Sequence, residues 1–537
     1  MTTRLKNHMA KLSQISVGIN INMCTESVPS SRTASERLSE HFRRNPKVPL
    51  QVMKFGGTSV GDATCISNVV DIVRDASRAN TVLVVVSAMA GVTNKLIEAA
   101  THAEAGSRKT VTSIFEQLRA KHTSVVDALI HSAAGRNRVN RRMQEIFQEG
   151  EQLCEGTLLL HELTPRARDL ISSLGERLSA PLVAAALEEN GMASEAVEST
   201  LLVVTDSYHG SADPKIDLTR ERCQARLLPL LQKGVIPVVT GFIGATTEGA
   251  LTTLGRGGSD YSATILGAAL DADEVIIWTD VDGLLTADPR LVPGACTVHE
   301  ISYQEAAELA HFGAKVLHPK TLRAVMHSGI PLWIRNTFAP ERTGTKITPS
   351  GPPRGEGVKA LTAISDVALI TVGGPGIVGV PDVLGRTFAT TTSVRADVLL
   401  ISQSSSQNNI CLVVHSAQAK TTVEALRREF FQDLAQEKVE HITVDSTVAT
   451  VTVVGQNVRG ISGIVGRTFT ALDQENVKII AIAQGASECN ISFVVGQKDM
   501  KVALVSIHRE FQLGDDLGGS AHDHIGPHQQ QVENILG

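Results

Sequence analysis

The chain has 537 residues, 42% of them hydrophobic and 20% charged, which supplies several packed cores and excludes wholesale disorder. Fifty Lys and Arg against 56 Asp and Glu leave a formal charge of −6, with no basic excess to suggest a nucleic-acid partner. The seven cysteines (Cys24, Cys65, Cys154, Cys223, Cys296, Cys411, Cys489) form no CxxC pair, so a disulfide framework or structural zinc is not expected and a reducing compartment fits.

Residues 1–48 carry eight Lys or Arg against Glu26, Glu36 and Glu40 and lack a long apolar run, so they are not a secretory signal. They read as a disordered extension, with an organelle transit peptide as the alternative. No later apolar run approaches the ~20 residues that span a bilayer, and no membrane partner is expected.

From Pro49 the pattern becomes strand, Gly-rich turn, helix. Val52–Phe55 enters Gly56-Gly57-Thr58-Ser59, and Val82–Val86 enters Ser87-Ala88-Met89-Ala90-Gly91. Val235–Thr240 enters Gly241-Phe242-Ile243-Gly244, and Val275–Trp278 enters Thr279-Asp280-Val281-Asp282-Gly283. Continuous apolar strands alternating with helices predict an α/β fold, a mostly parallel sheet covered on both faces. Ligands in such folds sit at the carboxyl ends of the strands, where these turns lie. Between Leu96 and Arg168 the chain reads as a helical insertion.

Ser350–Gly357 reads as a linker by its Gly and Pro content. An internal repeat follows, every pair offset by 81 without a gap. Val367–Val372 recurs as Val448–Val453, Gly385-Arg386-Thr387-Phe388 as Gly466-Arg467-Thr468-Phe469, and Ile401-Ser402-Gln403 as Ile482-Ala483-Gln484. Each copy reads as a small ferredoxin-like α+β unit. The predicted limits are 49–349 for the first domain, 358–438 and 439–510 for the repeats, and 511–537 for a mobile Gly- and His-rich tail.

Four constellations could carry chemistry. In Lys54-Phe55-Gly56-Gly57-Thr58-Ser59 a cation at a strand end precedes two residues without side chains, so backbone N–H groups can close on phosphate oxygens. An ordinary βα turn would read the same. In Gly255-Arg256-Gly257-Gly258-Ser259-Asp260, glycines flank an Arg that could fork onto a carboxylate or phosphate. The helix is expected over Ser262–Leu270, with Ser259 or Asp260 near its N-cap. Thr279-Asp280-Val281-Asp282-Gly283, followed by Asp288-Pro289-Arg290, places acids at a strand end that could bind ribose, metal water or an ammonium group, or simply cap a turn. Phe312–Pro319 contains Lys315, which is expected to close a helix.

In this order, on one chain, the motifs resemble the aspartate kinases of the amino acid kinase superfamily. The resemblance runs from about Val52 to Val495 and rests on KFGGTSV, VVSAMAGVTN, the GER of Gly175–Arg177, TLGRGGSDYSA, WTDVDG with DPR, FGAKVLHP and the paired repeats. The repeats resemble ACT domains, most closely those in the kinase half of bifunctional aspartokinase–homoserine dehydrogenases. The resemblance implies an amino acid kinase fold followed by two ACT domains. The implied reaction moves the γ-phosphoryl of ATP, with Mg²⁺ on the phosphates and no protein metal ligand, onto the β-carboxylate of L-aspartate. A carboxylate of pKa ~3.9 is already a nucleophile at pH 7, so no general base is required.

Carried over, Lys54 stabilises the transferred phosphoryl, and Asp260 orients Lys54 or the substrate. Gly56 and Gly57 admit the phosphates. Thr58, Glu176, Arg256 and Ser259 match aspartate-binding positions, with Arg256 on a carboxylate and Glu176 on the α-ammonium, directly or through a neighbour. Thr279, Asp280, Asp288, Arg290 and Lys315 match the nucleotide side, where many members carry Tyr in place of Leu285. Gln403 and Gln484 match threonine-sensing positions, so a threonine effector is expected over lysine. ACT pairing implies at least a homodimer, and exchange of the repeats' first strands would blur linear domain borders. The compartment implied is the cytoplasm, or a plastid if residues 1–48 are a transit peptide. Rival readings are another superfamily kinase or a catalytically dead amino-acid sensor.

Overall fold

The computed structural model describes residues 48–313, 316–352, 357–374, 381–403, 409–458, 460–483 and 488–514. Most of the N-terminal extension, Lys315, Gln484 and the tail from Asp515 therefore lie outside the described residues.

The first domain is built on an eight-stranded sheet. Its strands are β1 (Leu50–Phe55), β2 (Thr81–Val86), β3 (Ser194–Val197), β4 (Ile236–Thr240), β7 (Glu274–Thr279), β8 (Glu300–Ser302), β9 (Leu332–Asn336) and β10 (Thr345–Thr348), ordered β3-β4-β2-β1-β7-β9-β10-β8. All neighbours are parallel except β9 and β10. A hairpin, β5 (Ile243–Ala245) with β6 (Leu251–Thr253), stands apart.

Successive residues of a strand point to opposite faces. Val82, Val84 and Val86 accordingly enter one core while Leu83 and Val85 enter the other. The first core is closed by α1 (Ala63–Ser77), α2 (Val92–Glu104), α3 (Arg108–Leu129), α4 (Ala133–Leu160), α5 (Pro165–Ser172) and α6 (Leu174–Glu189). The second is closed by α7 (Ile216–Gln232), α8 (Gly258–Ala269), α9 (Tyr303–His311) and α10 (Pro319–Met326). Both faces of the central strands are thus dry, which is why the strands read as unbroken apolar runs.

The apolar stretch Pro165–Glu189 corrects one sequence expectation. By length and composition it could cross a membrane, yet 89% of its apolar window is buried inside the protein. Packed against the sheet, it is a core element.

The regulatory part is one six-stranded antiparallel sheet with the order β12-β13-β11-β14-β16-β15. Its strands are β11 (Gly357–Gly373), β12 (Val398–Gln403), β13 (Asn409–His415), β14 (His441–Gln456), β15 (Ile479–Ala483) and β16 (Asn490–Gly496). The long strands β11 and β14 lie side by side, with register shifts around Ile364–Leu369. The start of β11 pairs with the end of β14, and its second half pairs with β13 and with the start of β14. Leu361 accordingly packs in the second repeat's core with Val451 and Phe493, while Ile442 packs in the first repeat's core with Ile370 and Leu412.

The helices are α11 (Pro381–Ser393), α12 (Ser416–Glu429), α13 (Phe431–Ala435), α14 (Ile464–Gln474) and α15 (Met500–Glu510). Equivalent arginines fasten both helix pairs in the same way. Arg386 lies over Phe430 and Arg467 over Phe511, and their Nε atoms donate to Glu429 and Glu510 at 2.7 Å. The second core continues to Leu513, beyond the limit at 510.

Candidate active site

The carboxyl ends of β1, β2 and β4 converge with the start of α8 on a cavity of about 410 Å³. Lys54 is the penultimate residue of β1, and its ammonium lies 2.6 Å from Asp260 Oδ1. The two side chains are 10% and 15% exposed, so this charge pair is largely withdrawn from water. Beyond it the chain turns at Gly56, whose N–H donates to Trp278 O at 3.0 Å. A Cβ on Gly57 would sit 2.9 Å from Ala88 O, so the cradle admits no side chain there.

The helix carrying Asp260 begins earlier than the sequence suggests. Gly257, at φ 69°, occupies the N-cap position, and Ser259 and Asp260 lie in the first turn rather than at the cap. The left-handed conformation suits glycine, which has no Cβ to clash. It lets the helix start four residues before Ser262. The amino ends of α8 and α2 both border the cavity, through Gly258–Asp260 and through Thr93 and Asn94. Unpaired N–H groups and the helix dipole make such ends favourable to anions.

Glu176, in the first turn of α6, also lines the cavity and is 4% exposed. Burial pushes its carboxyl up to about 7, opposed by the Ala88 backbone, the Lys54 charge and the Ser259 hydroxyl. Its Oε2 is buried without a hydrogen-bond partner among the described residues. An unsatisfied buried oxygen is costly and suits a ligand that brings a donor. Arg256 lines the same cavity and is exposed.

Lys54, Gly57, Glu176, Arg256, Ser259 and Asp260 are therefore together. Thr58 is exposed and does not line this cavity. Thr279 ends β7 and Asp280 follows it, and the Thr279 hydroxyl donates to Asp280 Oδ1 at 3.2 Å. Asp288 and Arg290 lie farther along and grip each other, with Nη2 to Oδ2 at 2.6 Å. None of these four borders the cavity. Lys315 and Gln484 fall outside the described residues; Gln403 is exposed at the end of β12.

Sequence reasoning nominates no residue of the turn Ser87–Ala90, nor Thr93, Asn94 or Phe242, all of which line the cavity. The signal is the Ser-Ala-Met-Ala-Gly run after an apolar strand, whose small side chains leave backbone groups to act.

A cavity with two cations, two carboxylates and two helix amino ends is built to hold a small molecule bearing both signs of charge. The profile of the amino acid kinase family matches residues 49–336, more than half of the chain and every group just described. The chain belongs to the amino acid kinase family. The profile of the ACT domain matches twice in this amino acid kinase, at 370–430 and 451–511.

Among relatives, the aspartokinase of Schizosaccharomyces pombe is 30% identical over 505 residues, covering 88% of this chain and 95% of that protein. The chloroplastic bifunctional aspartokinase/homoserine dehydrogenase 1 of Arabidopsis thaliana is 34% identical over 469 residues, covering 86% of this chain and 51% of that protein. The chain thus spans about half the length of the bifunctional relatives it matches. The crystal structure of E. coli aspartokinase III with aspartate and ADP, in its R state, aligns with a TM-score of 0.73 at 30% identity, covering 86% of this chain and all of that one. The T-state structure of the same enzyme with lysine and aspartate gives 0.70. Within its family this chain groups with the aspartokinases, an α/β kinase domain followed by ACT domains.

Proposed function

We propose that this amino acid kinase is an aspartate kinase. It transfers the γ-phosphoryl of ATP to the β-carboxylate of L-aspartate and yields 4-phospho-L-aspartate, the entry step to the lysine, threonine, methionine and isoleucine branches. The observation that carries this reading is the single cavity in which Lys54, Arg256, Glu176 and Asp260 meet.

The acceptor carboxylate is ionised at neutral pH, so the site need only position it and neutralise charge. Lys54, held by Asp260, neutralises the transferred phosphoryl. Arg256 forks onto a substrate carboxylate, and the unpartnered Glu176 Oε2 receives the α-ammonium, with Ser259 beside them; Thr58, outside this cavity, is assigned to the aspartate side on its motif alone. Gly56 and Gly57 admit the phosphates. Thr279, Asp280, Asp288, Arg290 and Lys315 make up the nucleotide side. Mg²⁺ would ride on the ATP phosphates, where it would offset their charge, and no protein ligand is assigned to it.

The regulatory reading is feedback inhibition by threonine through Gln403 and Gln484, in at least a homodimer. In chain order the domains are 49–349, 358–438 and 439–510, preceded by the extension 1–48. The pairing of β11 with β14 supports an exchange of first strands between the last two. A chloroplastic name attaches to several plant relatives, so the plastid stands beside the cytoplasm as a location for this chain.

The test is ADP release with aspartate, glutamate, acetylglutamate or no acceptor, each with and without threonine or lysine. Turnover that needs aspartate supports the assignment. Turnover on another acceptor makes the protein a different member of the family, and none on any acceptor makes it a sensor.

A further inference from the structure

Arg256 projects from a turn whose two flanking glycines are both left-handed, Gly255 at φ 81° and Gly257 at φ 69°. Such a turn has no side chains of its own to stiffen it, and its conformation is set by what packs against it. Both contacts lead to the start of α10.

On one flank, a Cβ on Gly257 would lie 2.6 Å from His318 Cβ, 3.2 Å from its Cγ and 3.9 Å from its Cδ2, so the His318 side chain abuts the glycine through Cβ and one edge of the ring. On the other flank, a Cβ on Gly255 would meet Gly210 O at 3.0 Å and Ser211 Oγ at 3.1 Å. Ser211 in turn accepts from Lys320 Nζ at 2.9 Å. The Gly210 N–H donates to the buried Asp169 Oδ2 at 3.1 Å, which fixes that segment from behind.

His318 is itself held. It is the N-cap of α10, and its Nδ1 accepts from Lys320 N at 3.2 Å. An Nδ1 that accepts leaves the proton of the neutral ring on Nε2. Burial, then the Lys320 and Arg256 charges, hold the imidazole below its ordinary range, and Asp260 opposes them. The uncharged ring thus keeps its cap and adds no second cation beside Arg256.

We propose that His318 is a positioning residue that seats the Gly255–Gly257 turn and so aims the Arg256 guanidinium into the cavity. This rests on the aspartate kinase reading. His318 does not line the cavity, and it acts through Gly257.

Two variants of the full chain separate the ring from the cap. His318→Ser keeps a good N-cap acceptor and removes the whole ring, Cγ included. The KM for aspartate should rise at least about fivefold, because small misplacements of a positioning group are costly. The KM for ATP and the melting temperature should stay near wild type. His318→Phe keeps a ring against Gly257 and loses the acceptor, so it should lower the melting temperature while the aspartate KM stays within about threefold. A wild-type aspartate KM in His318→Ser, or equal losses for both substrates, would overturn the assignment. Wild-type protein without aspartate turnover would instead sink the activity on which it depends.

Discussion

Lys54 Nζ lies 2.6 Å from Asp260 Oδ1 and so joins the end of β1 to the first turn of α8. The partner carboxylate holds the ammonium aimed before any substrate arrives, which is how a fixed charge can lower a barrier without reorganising. Lys54→Ala should lower kcat by about 10²–10³-fold, with a smaller change in aspartate KM. Activity within a few-fold of wild type would reduce Lys54 to a turn residue. Initial rates with both substrates saturating decide it.

Arg256 is exposed on its glycine turn while Lys54 is buried, so the two cations differ in what a substitution removes. Arg256→Lys keeps the charge and loses the planar fork. One charge-assisted hydrogen bond is worth about 1.5–3 kcal/mol, so aspartate KM should rise by about ten- to a hundredfold. ATP affinity should change little. An equal loss for both substrates would point to a role in seating the loop.

Glu176 gives a pH signature with a defined sign. Burial lifts its carboxyl from an ordinary 4.5 to about 7. An acid whose folded pKa is raised binds its proton better in the folded chain. Its contribution to stability is full below about 4.5 and is lost as pH rises through 7, by roughly 3 kcal/mol in all. Glu176→Gln should flatten that slope in the unliganded protein. If the substrate ammonium settles on this carboxyl, aspartate binding just below pH 7 should expel a proton. Titration calorimetry in buffers of different ionisation heat measures the release, which should vanish in Glu176→Gln. Proton uptake by the wild type would reject the pairing.

The parts of this site legible in the sequence are those in which a side chain does the work. Lys54, Arg256 and Asp260 stand out because a charge beside glycines needs a reason, whereas Glu176 is reached only through the GER of the family resemblance. The turn Ser87–Ala90 is legible as a place where a ligand sits, at the end of an apolar strand, but its small side chains single out no residue of it. The early start of α8 is hidden because glycines usually end helices, whereas Gly257 supplies the one backbone conformation that lets this helix begin. The long strands β11 and β14 are legible only as a repeat. Their pairing joins residues 68 to 99 positions apart, from Gly373 with His441 to Gly357 with Gln456, and short-range patterns do not encode it. Asp288 and Arg290 match a nucleotide-side motif and form an ion pair with each other.

The regulatory prediction rests on where Gln403 ends its strand. It is exposed at the tip of β12, paired in register with Ile410. The same strand reaches across to the second repeat, where Ser402 Oγ donates to Ile482 O at 2.9 Å. An amino acid held at Gln403 would therefore sit beside the contact that joins the two outer strands. A glutamine offers both a donor and an acceptor, which suits the hydroxyl and backbone groups of threonine. An effector acts only through unequal affinity for two arrangements, and a typical coupling of about 1–3 kcal/mol corresponds to about 5–150-fold. Threonine, more than lysine, should inhibit. Gln403→Ala should shift the threonine dose–response to higher concentration and leave uninhibited turnover nearly intact, because the residue lies outside the kinase domain. Gln484→Ala, at the matching position 81 residues on, should do the same, though not necessarily to the same degree because the two copies have diverged. Inhibition by lysine with threonine inert would reverse the choice of effector. Variants as sensitive as wild type would remove both glutamines from the effector site.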